Sequence, residues 1–134
     1  MSKIIFICGN GNISFDKFND YYINKLRSNI ENNLFIVGDF RGTDTLTMEY
    51  IKTLTPSVEV CYLYDKPRYL PDKFKTYVSQ WKLTGGFKTN EERDLYMIRK
   101  CTHFLAIDQN TDVIRKSGTL KNIEYCRKLS IIEL

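Results

Sequence analysis

The chain predicts a three-layer α/β sandwich, with a mostly parallel five-stranded sheet of order 3-2-1-4-5 and helices on both faces. Three observations carry this. Short strand-like runs recur at Ile4–Cys8, Leu34–Val37, Val58–Tyr64 and His103–Ile107, the first of them β-branched and continuously apolar, the pattern of a strand buried on both faces. Segments with apolar residues at helical spacing alternate with these runs, and such alternation implies crossovers and a parallel sheet. At 134 residues, 43% apolar and 13% aromatic, residues 1–134 suffice for one domain with its own core.

Ile4–Cys8 ends in Gly9-Asn10-Gly11, which closes the first strand. Phe15, Phe18, Tyr22, Leu26 and Ile30 then recur at helical spacing, with Ser14 as N-cap and Asn32-Asn33 as a stop. Leu34–Val37 is the second strand, and a helix runs from Thr43 to about Thr53, ended before Pro56. After the third strand, Pro71-Asp72 reads as a helix start. Phe74, Tyr77, Val78 and Trp81 share one face of that helix until Thr84-Gly85-Gly86 stops it. Their aromatic row reads as a core-facing stripe rather than a base-stacking platform.

Glu91–Cys101 is a further helix with Asn90 as N-cap and Glu91, Glu92 and Asp94 near its positive end. His103–Ile107 is the fourth strand, and a polar loop follows from Asp108 to Ser117. Gly118–Leu129 forms the last helix, with Leu120, Ile123 and Cys126 on one side, and Ser130–Leu134 a short fifth strand.

Composition narrows the function classes. The net charge of +4 comes from 20 basic and 16 acidic side chains scattered along the chain, so no nucleic-acid stripe is expected. Cys8, Cys61, Cys101 and Cys126 form no CxxC pair, and His103 is the sole histidine. Neither a zinc site nor a disulfide framework is expected; reduced thiols and a cytoplasmic location fit. The N-terminal apolar run is too short for a signal segment or a membrane span. No metal, cofactor or membrane partner is expected.

In a parallel sheet of this order, ligands bind beyond the carboxyl ends of the strands at the switch point between strands one and four. Four segments are expected to meet there: Gly9-Asn10-Gly11, Gly38–Asp44, the helix start near Arg93, and Ser117-Gly118-Thr119. Within Gly38-Asp39-Phe40-Arg41-Gly42-Thr43-Asp44, a strand, a glycine turn and a helix start make a ready anion site. Thr43 or Asp44 equally suits a helix cap, and Asp39 and Asp44 suit ribose binding or acid/base work. Ser117, Gly118 and Thr119 offer a hydroxyl and backbone N–H groups for phosphate or ribose, or a plain N-cap. Arg93 lies beside the positive end of a helix dipole, where an anionic ligand or a neighbouring Glu92 or Asp94 must offset it.

At these turns the sequence resembles the SLOG superfamily, the Rossmann-like fold shared by the DNA-processing protein DprA and the LONELY GUY cytokinin-activating enzymes. FIVGDFRGTD resembles the pattern xVxGGARGAD of its small stand-alone members, keeping Gly38, Arg41, Gly42 and Asp44. Trp81, Gly85-Gly86 and Arg93 resemble their W…G…RN stretch, with Asp94 in place of the Asn. Glu92-Arg93-x-x-x-Met97, Phe104–Ile107 and Ser117-Gly118-Thr119 resemble ERKxxM…ALPGGxGTxxE, with Asn122 in place of the catalytic Glu. Glu124, about 200° around the helix from Asn122, is no substitute for it.

The resemblance implies a domain that binds a nucleotide or nucleotide-derived small molecule as a sensor or processing protein. Two alternatives stand beside it. One is a nucleoside-monophosphate N-glycosidase, a phosphoribohydrolase-like enzyme in which Asp39, Asp44 or Glu92 replaces the missing glutamate. The other is a non-catalytic interaction module, a homodimer or higher homo-oligomer.

Overall fold

A computed structural model describes residues 2–110 and 114–134. The chain forms one six-stranded sheet in the order β4-β3-β2-β1-β5-β6, and all five pairings are parallel. The strands are β1 (Ile4–Gly9), β2 (Leu34–Val37), β3 (Val58–Leu63), β4 (Lys82–Phe87), β5 (His103–Ile107) and β6 (Ile132–Glu133). This is the expected order with one strand added at the edge beyond β3. The last strand, at Ile132–Glu133, is paired with His103 and Phe104 of β5.

Alternation along each strand sends side chains to opposite faces, and two cores result. Ile5, Ile7, Phe35, Val37, Val58 and Val60 pack against Phe18, Tyr22, Leu26, Met48 and Ile51 on one face. These come from the helices α1 (Phe15–Phe18), α2 (Asn24–Ser28) and α3 (Thr43–Ile51), with a π-helical turn at Asn19–Ile23 joining the first two. On the other face Phe6, Cys8, Ile36, Cys61, Phe104 and Ala106 meet Met97, Ile98, Cys101, Ile123 and Cys126, from α4 (Asn90–Lys100), its C-cap Cys101 and α5 (Gly118–Lys128). All four cysteines are free and buried.

Ser14 caps α1, its side chain accepting from Lys17 N. The π turn brings Phe18 and Tyr22 into a stack with centroids 5.4 Å apart and planes 10° from parallel. The Tyr22 hydroxyl donates to Cys8 O at 2.8 Å and accepts from Ile107 N at 2.9 Å. A helix side chain is thereby interposed between backbone groups of β1 and β5.

Four expectations are corrected. No helix forms over 71–81: the Asp72 carboxylate accepts from Phe74 N at 2.7 Å, and Lys75 takes a left-handed φ of 55°. Such local side-chain turns compete with helix formation. Tyr77 N is also drawn to Lys52 O at 2.7 Å, leaving one 3-10 turn at Val78–Gln80. The aromatic stripe is split: Trp81 is buried and donates Nε1–H to Thr55 O at 3.0 Å, while Phe74 is 76% exposed. Thr84-Gly85-Gly86 does not stop a helix but lies within β4, whose pairing with β3 shifts register between Cys61 and Leu63. At α4 the N-cap is Thr89, which accepts from Glu92 N, and Asn90 is already helical.

A polar cluster ties β3, β4 and α4 together. Glu59 on β3 is fully buried and accepts from Lys100 Nζ at 2.5 Å, Tyr96 Oη at 2.7 Å and Thr84 Oγ1 at 2.8 Å. Burial pushes its carboxyl upward, but these hydrogen bonds outweigh it and hold the pKa below the ordinary 4.5. A carboxylate depressed in this way stabilises the fold above the unfolded-state value, and that contribution is lost as pH falls through the lower folded value. Glu59→Gln is expected to lower stability at pH 7 by about 1–3 kcal/mol. In melting curves recorded from pH 7 down to 3, the variant should lose less further stability below about pH 4.5 than the parent. Parallel acid limbs would contradict this.

Candidate functional site

The chain leaves β1 toward β2 on one side and returns to β5 on the other, so β1 is the switch point, where ligand crevices form beyond the strand ends. A cavity of about 420 Å³ lies there, within the range of small-molecule sites. Gly9-Asn10-Gly11, Gly38, Phe40, Arg41 and Asp44 line one side. Asn90, Arg93, Asp94 and Met97 of α4, and Ser117, Gly118, Thr119 and Asn122 around the start of α5, line the other. Cys8, Asn110 and Arg115 complete this part of the wall.

Asn10 fixes the loops. Its carbonyl accepts from Thr43 N at 3.2 Å and Thr43 Oγ1 at 3.1 Å, tying the turn after β1 to the first residue of α3. Its side chain donates to Asp108 Oδ1 at 3.1 Å and accepts from Gln109 N at 2.7 Å, tying the same turn to the end of β5. Asp108 also accepts from Ser117 Oγ at 2.7 Å. Ser117 is at once the N-cap of α5, accepting from Leu120 N at 3.0 Å. Gly42 enters α3 at φ 79°, where an added Cβ would stand 2.5 Å from Asn10 O. Only glycine suits both conditions.

The charged centre is Arg93, buried to 5% exposure. Its Nη1 donates to Asp39 Oδ1 at 3.1 Å, and its Nε and Nη2 each donate to Asp94 Oδ1 at 3.2 Å. Asp94 Oδ2 accepts from Asn122 Nδ2 at 3.1 Å, which reaches α5. Gly38 permits this packing, since a Cβ there would meet Asp44 Oδ2 at 2.9 Å and Arg93 Cζ at 3.2 Å. Nearby, the Arg41 and Arg68 guanidinium carbons lie 4.9 and 5.4 Å from the centroid of the Phe40 ring.

Nine of the expected ligand residues are brought together on the cavity wall: Gly9, Asn10, Gly38, Arg41, Asp44, Arg93, Ser117, Gly118 and Thr119. Three are not on it. Gly42 and Thr43 form the turn behind, and Asp39 is buried beneath, its carboxylate taking Arg68 N at 2.6 Å, Arg68 Nη2 at 2.9 Å and Arg93. Glu92 lies off the cavity, exposed, accepting from Lys88 N at 3.1 Å as part of the α4 cap. Phe40, Asn90, Asn110 and Arg115 were not among the expected ligand residues. For Arg115 the signal was its place two residues before Ser117; for Phe40 it was its place within the glycine turn.

Among the described residues, no group of three or more His, Cys, Asp or Glu side chains is placed to hold a metal ion, and no helix is long and apolar enough to cross a membrane. Burial raises the Cys8 thiol well above its ordinary range, with the Asp44 charge adding to it, so Cys8 is no thiolate nucleophile. Asp44 is raised to about 7, chiefly by burial, with Arg93 and the Phe40 N–H, 3.1 Å from Oδ2, opposing. No protein-family model, curated protein or solved structure matches the chain.

Between pH 3.8 and about 7 the unfolded chain releases the Asp44 proton that the folded chain keeps. The folded state therefore loses stability as pH rises across that window and levels off above it. Asp44→Asn removes this cost. Its stability relative to the parent is expected to increase from pH 4 to pH 8 by on the order of 1–4 kcal/mol, at about 1.4 kcal/mol per pH unit. Thermal melts of both proteins at the two pH values decide it, and an unchanged difference would count against a buried, protonated Asp44.

Proposed function

We propose that the protein binds a nucleotide or nucleotide-derived small molecule at the C-terminal edge of its parallel sheet. The observation that carries this reading is the convergence of four loop segments on one cavity whose wall includes Arg41, Arg93 and Arg115. Arg93 is balanced by Asp39 and Asp94, so within this reading Arg41, exposed and stacked on Phe40, is the cation offered to an anionic group, while Asp44, with its pKa near 7, is partly protonated at neutral pH. The starts of α3 and α5 reach the same wall through Asp44, Gly118 and Thr119, and helix N-termini attract phosphate. The SLOG resemblance points to the same ligand class.

Within this reading Arg93 is a contact whose removal would also strand Asp39 and Asp94, so it is a poor probe of binding. Gly118 and Arg41 are better. A Cβ added at Gly118 meets nothing within 4 Å, so Gly118→Leu should leave the fold intact while its side chain enters the cavity. Arg41 is exposed and stacks on Phe40. In a thermal-shift panel of nucleoside phosphates, cyclic nucleotides and ADP-ribose derivatives at millimolar concentration, at least one compound should raise the melting temperature. A ligand present at one hundred times its Kd contributes about 2.7 kcal/mol. Gly118→Leu and Arg41→Ala should each abolish most of that rise, with unliganded stability within about 0.5 kcal/mol of the parent. A panel without any shift would overturn the reading.

One observation favours the N-glycosidase alternative: a wall carboxyl with a pKa of about 7 is poised as a general acid. Release of free base from nucleoside monophosphates would be lost in Asp44→Asn. Turnover undiminished in that variant would remove Asp44 from the reaction.

A further inference from the structure

We propose that the cavity takes up a proton together with its anionic ligand, held on Asp44 and donated to a ligand oxygen; this rests on the nucleotide-binding reading above. Asp44 is 7% exposed and stands on the cavity wall. Its Oδ2 accepts from Phe40 N at 3.1 Å. Its Oδ1 takes no hydrogen bond from the described residues. Nor is it sealed in, for among those residues the one sealed side-chain oxygen or nitrogen without a partner is Thr47 Oγ1. Oδ1 is therefore the oxygen that the cavity reaches.

A carboxyl so buried, with one donor, is poorly provided for as an anion. The cation beside it is committed elsewhere. A Cβ at Gly38 would stand 2.9 Å from Asp44 Oδ2 and 3.2 Å from Arg93 Cζ, so the two groups are neighbours. Yet Arg93 Nε, Nη1 and Nη2 donate to Asp39 and Asp94, and none donates to Asp44. The titratable groups facing Asp44 are Cys8 from β1, Tyr22 from the π turn, Asp39 from the turn after β2, and Arg93 and Asp94 from α4. Burial raises the Cys8 thiol and the Tyr22 hydroxyl, so both are neutral from pH 5.5 to 8. The start of α5 brings only uncharged side chains to the wall. Burial lifts Asp44 to about 7 against Arg93 and the Phe40 N–H, and the Asp94 and Asp39 charges add to the rise.

Arg41, the cation offered to the ligand, belongs to the same turn and lines the same side of the cavity. An anionic oxygen drawn there meets Asp44 Oδ1. If Asp44 is ionised, the two repel; with a proton between them, an O–H donates to an anionic oxygen in a strong hydrogen bond. Binding therefore selects the protonated carboxyl, and the proton comes from solvent.

The test is titration calorimetry at pH 5.5 and pH 8, in buffers of different ionisation enthalpy, with the parent and Asp44→Asn. The ligands are the four ribonucleoside 5′-monophosphates, 3′,5′-cyclic AMP and ADP-ribose. The amide keeps an oxygen for Phe40 N–H, presents an N–H where the carboxyl presents its O–H, and does not titrate. With Asp44 at about 7 in the free protein, the competent fraction falls about tenfold by pH 8, and apparent affinity falls with it. For each compound that binds, the ratio of parent to variant dissociation constant is expected to rise about tenfold from pH 5.5 to pH 8. At pH 8 the parent should take up about one proton more per ligand than the variant. Comparing the two proteins cancels titration of the ligand's own phosphate. An unchanged ratio with equal proton uptake would overturn the linkage and leave the nucleotide reading standing. Loss of binding in Asp44→Asn at pH 5.5 would also overturn it, since a donor at that place would then not serve. Binding of none of the six compounds at millimolar concentration at either pH would overturn the nucleotide reading and this inference with it.

Discussion

The interaction on which the rest of the site depends is the hold of Asp39 and Asp94 on Arg93. A guanidinium with 5% exposure is tolerable only because all three of its donor nitrogens find carboxylate oxygen. Taking one partner from such a buried pair costs on the order of 3–5 kcal/mol, because the remaining charge is left without compensation. The chain of contacts runs further than one pair. Through Asp39 it reaches Arg68 in the connection between β3 and β4, and through Asp94 it reaches Asn122 of α5. Segments far apart in sequence are therefore positioned by one buried cation, and the cavity wall is as rigid as that network.

At the junction of α4 and α5 the carboxylate comes from Asp94 and the amide from Asn122, and the two side chains are hydrogen-bonded to each other. Asp39, read from sequence as a ribose or acid/base group, is instead fully committed beneath the cavity floor. Of the three carboxylates considered for catalysis, only Asp44 faces the cavity.

Much of the fold was legible because it follows from local pattern. β1 and β2 are short apolar runs rich in β-branched residues, β3 and β5 are mostly apolar runs of strand length, and α4 and α5 have side-chain N-caps. Where reading failed, the deciding interactions were non-local or conformational. Lys-Leu-Thr-Gly-Gly-Phe has little strand character, yet it pairs with β3, and Thr84 donates to Glu59 from across the sheet edge. The residues from Pro71 to Trp81 carry helical spacing but are diverted by the Asp72 turn, the left-handed Lys75 and the pull of Lys52 O. In the site, the glycine turns were visible because topology alone brings strand ends together. The pairing of Asp94 with Asn122, 28 residues apart, was not, since helix rotation and depth determine which polar side chains meet.

The Tyr22 hydroxyl occupies the place between Cys8 O and Ile107 N, at the ends of β1 and β5 where the cavity opens. The ends of β1 and β5 are thus bridged by a phenol from the layer of α1 and α2, stacked on Phe18 at the end of α1. The spacing of these strand ends, from which Cys8 and Gly9 reach the cavity wall, is therefore tied to the winding of the first helical segment.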